Sequence, residues 1–140
     1  MGLISLLIRN PIIFILLAIP LLYSIILHEI AHGWTAYLFG DDTAKRSGRL
    51  SLNPLMHLDP IGTIALFLVG FGWAKPVPVN YFKLRNSRFG LIAVSMAGCL
   101  ANFTIALSAV LILKFIGQGL NHYILIMLLI VVKINIILGV

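Results

Sequence analysis

The sequence contains little charge. Of its 140 residues only 10% are charged and 61% are hydrophobic, whereas a typical soluble domain has about 25% charged residues. This shortage excludes a soluble globular protein, because such a domain needs polar side chains to cover its surface. A disordered chain is also excluded, because disordered chains are poor in large apolar residues. The composition therefore predicts a membrane protein.

Cysteine is equally scarce. The single cysteine, Cys99, can form no internal disulfide and supplies no CxxC metal pair, and its apolar surroundings favour a small buried residue. The net charge of +6 comes from lysines and arginines at the edges of apolar runs, which indicates membrane topology rather than nucleic-acid binding. Arg9 follows the first apolar stretch instead of preceding it, so we expect no cleaved signal peptide.

Three apolar segments are long enough to cross a membrane, which takes roughly 20 residues. They cover residues 11–39, 90–113 and 123–140. Pro11 suits the first turn of a helix, where its missing N–H costs nothing. Pro20 lies within the first segment and is expected to kink or divide the helix.

A fourth apolar segment, residues 61–73, is shorter and is typical of a re-entrant segment. Residues 74–80 carry two prolines and alternating valines, so we expect them to be extended. If both segments dip into the membrane and return, one face carries seven lysines and arginines, and the other carries Arg9 and Lys114. The positive-inside rule places the seven in the cytoplasm. They are Lys45, Arg46, Arg49, Lys75, Lys83, Arg85 and Arg88.

The predicted fold class is an all-α polytopic membrane protein. It has about three transmembrane helices and a short re-entrant or extended hairpin element. The expected location is the cell membrane, with several spans and with loops 40–60 and 74–89 in the cytoplasm. Residues 48–53 alternate between polar and apolar side chains, which predicts a short strand or an extended piece.

The first apolar segment contains the sequence HExxH, formed by His28, Glu29 and His32. Histidines four residues apart on a helix project from one face and can reach one Zn²⁺. Glu29 lies about 100° round the helix, where it can take a proton from a water on the metal. Ionisable residues within a membrane span are costly and mark function by default. A buried polar cluster that joins helices is the alternative interpretation.

This region resembles the site-2 protease family of intramembrane zinc metalloproteases, in the compact branch that lacks a PDZ domain. The resemblance covers nearly the whole chain. It rests on residues 28–33, 40–46, 48–54, 57–63 and 72–80.

The resemblance implies roles for individual residues. His28 and His32 match the zinc ligands, Glu29 matches the catalytic glutamate, and residues 72–80 match a membrane-dipping extended element. An unwound substrate could pair with that element by strand addition. Asn102 matches an asparagine that faces the family's active site, where it could orient substrate or donate to the oxyanion; an interhelical hydrogen bond is the alternative.

The third zinc ligand of the family is an Asp in a Leu-Asp-Gly motif, which this chain lacks. His57 and Asp59 are the other candidates near the membrane edge, and we interpret both as structural, as caps or loop contacts. Lys133 lies in an apolar run and could snorkel to an interface or pair internally. Residues 1–140 are therefore expected to form a single membrane-embedded metalloprotease domain that is truncated at its C-terminus.

The predicted function is that of an intramembrane zinc metalloendopeptidase with one Zn²⁺ per chain. Its expected partners are transmembrane protein substrates and the lipid bilayer, with no nucleic acid. An inactive fragment of such a protease is one alternative. A metal-binding transporter or scaffold that uses His28 and His32 is another.

Overall fold

Six α-helices follow one another along residues 3–70 and 72–140, which a computed structural model describes. They are α1 (Leu3–Arg9), α2 (Pro11–Leu38), α3 (Thr43–Arg46), α4 (Pro60–Val69), α5 (Ser87–Ile116) and α6 (His122–Gly139), with 3₁₀ turns at Pro54–Met56, Tyr81–Lys83 and Gly117–Gly119. Three of the helices, α2, α5 and α6, are long and apolar enough to cross a membrane. The predicted fold class is confirmed.

The helix α2 begins and ends with clear capping signals. The side chain of Asn10 accepts a hydrogen bond from the N–H of Ile13, and Pro11 occupies the first turn. Pro20 lies inside the helix without interrupting it, so of the two expected effects, a kink or a division, the division does not occur. The chain leaves the helix at Gly40, whose φ of 101° suits glycine.

The three long helices pack against one another, with α5 in contact with both α2 and α6. Small and polar residues mediate the contacts among the three helices. Asn135 on α6 donates a hydrogen bond of 2.8 Å to the hydroxyl of Ser24 on α2, and both side chains are buried. Gly139 lies against the ring of Phe103, where an added Cβ would come within 3.2 Å. Close helix contact of this kind is expected in lipid, where small residues let backbones approach.

A hairpin connects α4 to the extended segment that follows it. Asp59 caps the N-terminus of α4 by accepting a hydrogen bond from the N–H of Gly62, and Gly70 ends the helix with a φ of 82°. The returning chain passes so close that a Cβ at Gly72 would come within 2.5 Å of Leu66. Phe71 lies outside the described residues. The predicted hairpin with an extended second arm is present.

Residues 74–80 form no helix, as the prolines predict. Ala74 pairs with Leu58 in a single antiparallel bridge, and the N–H of Lys75 donates to the carbonyl of His57 at 2.8 Å. Of the two forms predicted for residues 48–53, a short strand or an extended piece, the strand does not form. This stretch bends instead, because the N–H of Arg49 turns back to the carbonyl of Ala44 and no neighbouring strand pairs with it.

Candidate metal centre

The two histidines of the HExxH motif converge on one point beside α2. The Nε2 atoms of His28 and His32 lie 3.1 Å apart, and the two rings meet edge to face with their centroids 4.8 Å apart. Both side chains are half-buried. Two imidazole nitrogens this close can bind a single metal ion at the usual Zn–N distance of about 2.0–2.1 Å.

The opposite ring nitrogens of both histidines are held by α5. The Nδ1 of His32 lies 2.6 Å from the carbonyl oxygen of Val94, which can only accept a hydrogen bond. The Nδ1 of His28 lies 3.1 Å from the amide nitrogen of Asn102. Partners on Nδ1 fix the ring orientation of metal-binding histidines, and the contacts here leave both Nε2 atoms facing each other.

Gly98 is the residue of α5 that lies next to the two Nε2 atoms. It lies midway between Val94 and Asn102 on the same face of α5, because residues four apart share a helix face. A Cβ added at this position would lie closer to both Nε2 atoms than any real contact allows. The absence of a side chain at residue 98 therefore lets α5 lie this close to the two histidines.

The histidine pair fits zinc by donor type and by spacing. Catalytic zinc takes three protein ligands and keeps a fourth position for water. Within residues 3–70 and 72–140, no group of three or more His, Cys, Asp and Glu side chains is arranged to hold a metal. A site of that kind would find two of its three ligands, His28 and His32, among the described residues.

Glu29 is held from the other side of α2, by the extended segment. Its Oε2 atom accepts a hydrogen bond of 2.9 Å from the backbone N–H of Val77. The side chain of Val77 is buried and packs over Gly33, where an added Cβ would come within 2.7 Å. The absence of a side chain at Gly33 thus lets the extended segment approach α2 closely enough to reach Glu29.

Two further side chains fix the extended segment in place. The Nη2 atom of Arg49, which is only 7% exposed, donates to the carbonyls of Lys75 at 2.7 Å and Pro76 at 3.0 Å. The Oδ2 atom of Asp41 accepts from the N–H of Asn80 at 2.6 Å. Burial opposes ionisation of Asp41, but hydrogen bonds from Thr43 and Asn80 outweigh it and lower the pKa of this carboxyl below its usual 3.8.

The other candidates from the sequence lie in different places. Asn102 is completely buried and joined to His28, so it does form a contact between helices. Asp59 caps α4, and the Nε2 of the buried His57 contacts the carbonyl of Ser51 at 2.7 Å. Lys133 is exposed on α6. Neither His57 nor Asp59 joins the histidine pair in a metal-binding group within the described residues.

Sequence reasoning missed three contributors to the site. The carbonyl of Val94 carries no sequence signal, since every residue has one. Gly98 did carry a signal in the sequence, because it lies four residues before Asn102 in the same apolar segment. Arg49 was counted as a marker of loop orientation, and only its position in the short polar connector hinted at a buried contact.

Comparison with known proteins gives relatives in bacteria. The chain is 50% identical over 101 residues to "Putative zinc metalloprotease YwhC" of Bacillus subtilis (strain 168), a match that covers 72% of this chain and 42% of that protein. It is 35% identical over 102 residues to "Putative zinc metalloprotease Rip2" of Mycolicibacterium smegmatis, covering 67% of this chain and 38% of the relative.

A protein of the same name from Mycobacterium tuberculosis (strain H37Rv) is 32% identical over 101 residues, which cover 68% of this chain and 38% of the relative. The chain thus spans about two fifths of the length of the curated relatives it matches. No protein-family model and no solved structure matches the chain.

Proposed function

We propose that this chain carries the HExxH half of the active site of an intramembrane zinc endopeptidase of the site-2 protease type. The observation that carries the proposal is the convergence of the His28 and His32 Nε2 atoms, 3.1 Å apart, inside an apolar helix of spanning length. The relatives support it, since their names describe zinc metalloproteases.

His28 and His32 would hold the metal through Nε2. Zinc bound there would polarise the scissile carbonyl and make water a nucleophile near neutral pH. The rest of the site is provided by the protein: α5 orients the two rings through their Nδ1 atoms, and the missing side chain of Gly98 lets this helix approach them.

Glu29 is the proposed general base. It takes the proton of the attacking water and then delivers it to the leaving amine. The N–H of Val77 occupies Oε2, while Oε1 has no hydrogen-bond partner among the described residues and is the oxygen available for this transfer. The contact with Val77 also holds the carboxylate in one orientation.

The proposed substrates are transmembrane segments of other membrane proteins. An unwound segment could pair with residues 74–80 by strand addition. Pro76 and Pro78 have no N–H to donate, so pairing is restricted to the edge that carries Val77 and Val79. The N–H of Val77 is already used by Glu29, which leaves the N–H of Val79 and the two valine carbonyls for a substrate.

We also propose where the chain is located and how it is oriented in the membrane. The chain lies in the cell membrane with several spans, loops 40–60 and 74–89 face the cytoplasm, and no nucleic acid is bound. The positive charge of these two loops supports this orientation.

Zinc binding by the purified chain in detergent micelles tests the metal site. We expect the wild-type chain to bind zinc, and both His28→Ala and His32→Ala to lose it. His122→Ala is the matched control, because His122 is exposed at the start of α6, and it should bind zinc as the wild type does. A wild-type chain that binds no zinc would contradict the proposal.

Cleavage of a membrane-anchored reporter co-expressed with the chain tests the chemistry. Glu29→Gln should retain zinc and lower cleavage by about 100-fold or more, the usual contribution of a positioned base. Undiminished cleavage by this variant would overturn the role of Glu29. Zinc flux into liposomes that tolerates Glu29→Gln would instead support a transporter.

A further inference from the structure

Two asparagines are completely buried in the described part of the chain, and only one of them touches the metal site. Asn102 and Asn135 are each 0% exposed, and each has an Oδ1 atom that is buried without a hydrogen-bond partner. Asn135 donates to Ser24, whereas Asn102 meets the Nδ1 atom of His28. An unpaired buried oxygen costs free energy, so each needs a physical explanation.

The chemistry of histidine gives an explanation for Asn102. A neutral imidazole carries its proton on one nitrogen and a lone pair on the other. A metal bound to Nε2 needs the lone pair there, so the proton must lie on Nδ1 and requires an acceptor. His32 has such an acceptor in the carbonyl of Val94.

For His28 the facing atom is the amide nitrogen of Asn102, which is a donor. It matches the tautomer with a lone pair on Nδ1 and the proton on Nε2, and that tautomer cannot bind metal through Nε2. Rotation of the amide by 180° exchanges its oxygen and nitrogen in nearly the same space. The turned amide would accept from Nδ1–H and would give the orphaned Oδ1 its partner.

We propose that Asn102 is a positioning residue that selects the tautomer of His28. Its amide accepts from Nδ1–H when metal is bound, so that the lone pair of Nε2 is free to coordinate. The inference rests on the proposed zinc site. In this role Asn102 acts on a metal ligand, His28, and not on the substrate or the oxyanion.

The zinc affinity of the 140-residue chain in detergent micelles, measured by competition with a chromophoric chelator, tests this assignment. Asn102→Leu keeps the side-chain volume and removes both hydrogen-bonding atoms. We expect it to bind zinc 10- to 100-fold more weakly, the usual cost of losing a group that orients a metal ligand. Asn102→Asp keeps an acceptor and should bind zinc within about threefold of wild type.

Asn135→Leu is the matched control. It removes an equally buried asparagine and an interhelical hydrogen bond, but one that lies at Ser24 and not at a histidine. Its zinc affinity should stay at the wild-type value even if its thermal stability falls. An affinity loss in Asn102→Leu no larger than in Asn135→Leu would overturn the proposal, since it would show a general effect of helix packing.

Nitrogen-15 NMR of the histidine rings gives an independent measurement, because protonated and unprotonated ring nitrogens differ widely in chemical shift. In the zinc-loaded wild type, His28 should carry its proton on Nδ1. Unchanged zinc affinity in Asn102→Leu with reduced cleavage would refute the positioning role and favour a substrate or oxyanion contact. Zinc binding by none of the proteins, wild type included, would overturn the proposed function and this inference together.

Discussion

Two regions hold the helix that carries the HExxH motif, and they hold it in different ways. On one side, α5 meets His28 and His32 through a stripe of three residues, Val94, Gly98 and Asn102. On the other side, the extended segment 74–80 meets Glu29 through the backbone N–H of Val77. The contact with α5 depends on the residue types at positions 98 and 102 as well as on a backbone carbonyl. The contact with the extended segment depends on the path of the backbone alone.

Because of this difference, metal binding by the histidines and the position of Glu29 should respond to different substitutions. The geometry of the histidine pair depends on a missing side chain at residue 98 and an amide at residue 102, so substitutions there should affect metal binding. The position of Glu29 depends on the path of the extended segment, which Arg49 and Asp41 fix through hydrogen bonds to its backbone. Substitutions on that side should affect stability and leave metal binding intact.

The largest expected effect is a loss of zinc affinity caused by a substitution on α5. Gly98→Ala should lower zinc affinity by 100-fold or more, because its Cβ would lie against both Nε2 atoms. The helix itself should be no less stable, since alanine is favoured over glycine in a helix by about 1 kcal/mol. Chelator competition and thermal unfolding measure the two effects separately.

Gly119→Ala is the control for this substitution, because a Cβ there would meet nothing within 4 Å. It should leave zinc affinity unchanged. If Gly98→Ala binds zinc normally, the histidine rings can move aside, and the space beside them is not set by residue 98.

The next largest expected effect is a loss of stability caused by a substitution in the extended segment. Val77→Pro removes the N–H that Glu29 accepts from, whereas Val77→Ala keeps the N–H and removes only the side-chain packing over Gly33. We expect Val77→Pro to be less stable than Val77→Ala by about 1.5–3 kcal/mol, the value of a hydrogen bond to a charged group. Thermal or denaturant unfolding in micelles measures the difference.

Zinc affinity should be the same in both variants of Val77, since neither touches α5. A loss of zinc binding in Val77→Pro alone would show that the two sides of α2 are coupled.

The smallest expected effect is on the pH dependence of stability, and it concerns Asp41, which holds the end of the extended segment at Asn80. The pKa of Asp41 is lower in the folded chain than its usual 3.8, so its contribution to stability is present above about pH 4 and is lost as the pH falls through the folded value. Asp41→Asn should cost about 1 kcal/mol at neutral pH and should weaken the loss of stability in acid.

Unfolding measured from pH 7 down to pH 3 checks this prediction. Asp42→Asn serves as the control, because Asp42 pairs only with the lysine and arginine side chains of Lys83 and Arg46 in an exposed setting. An acid profile that Asp41→Asn leaves unchanged would show that the bond to Asn80 does not hold the segment.

Much of the fold was readable from hydrophobicity and prolines. The three long helices and the short α4 agree with the predicted segments within a few residues, because apolar length is what membrane spanning requires. The extended arm at residues 74–80 followed from two prolines. Pro20 does not divide its segment, since α2 runs without interruption from Pro11 to Leu38. At residues 48–53 the strand, one of the two predicted forms, is absent, because a strand needs a partner that alternation in the sequence cannot guarantee.

By itself, the sequence determined that the chain belongs in a membrane and that two histidines share one helix face, since composition and helical period are local properties. Only the tertiary structure decided what surrounds that face. Gly98 and Asn102 are about 70 residues from His28 along the chain, and Val77 is 48 residues from Glu29. Contacts over such separations depend on how the helices pack, and no local pattern records them.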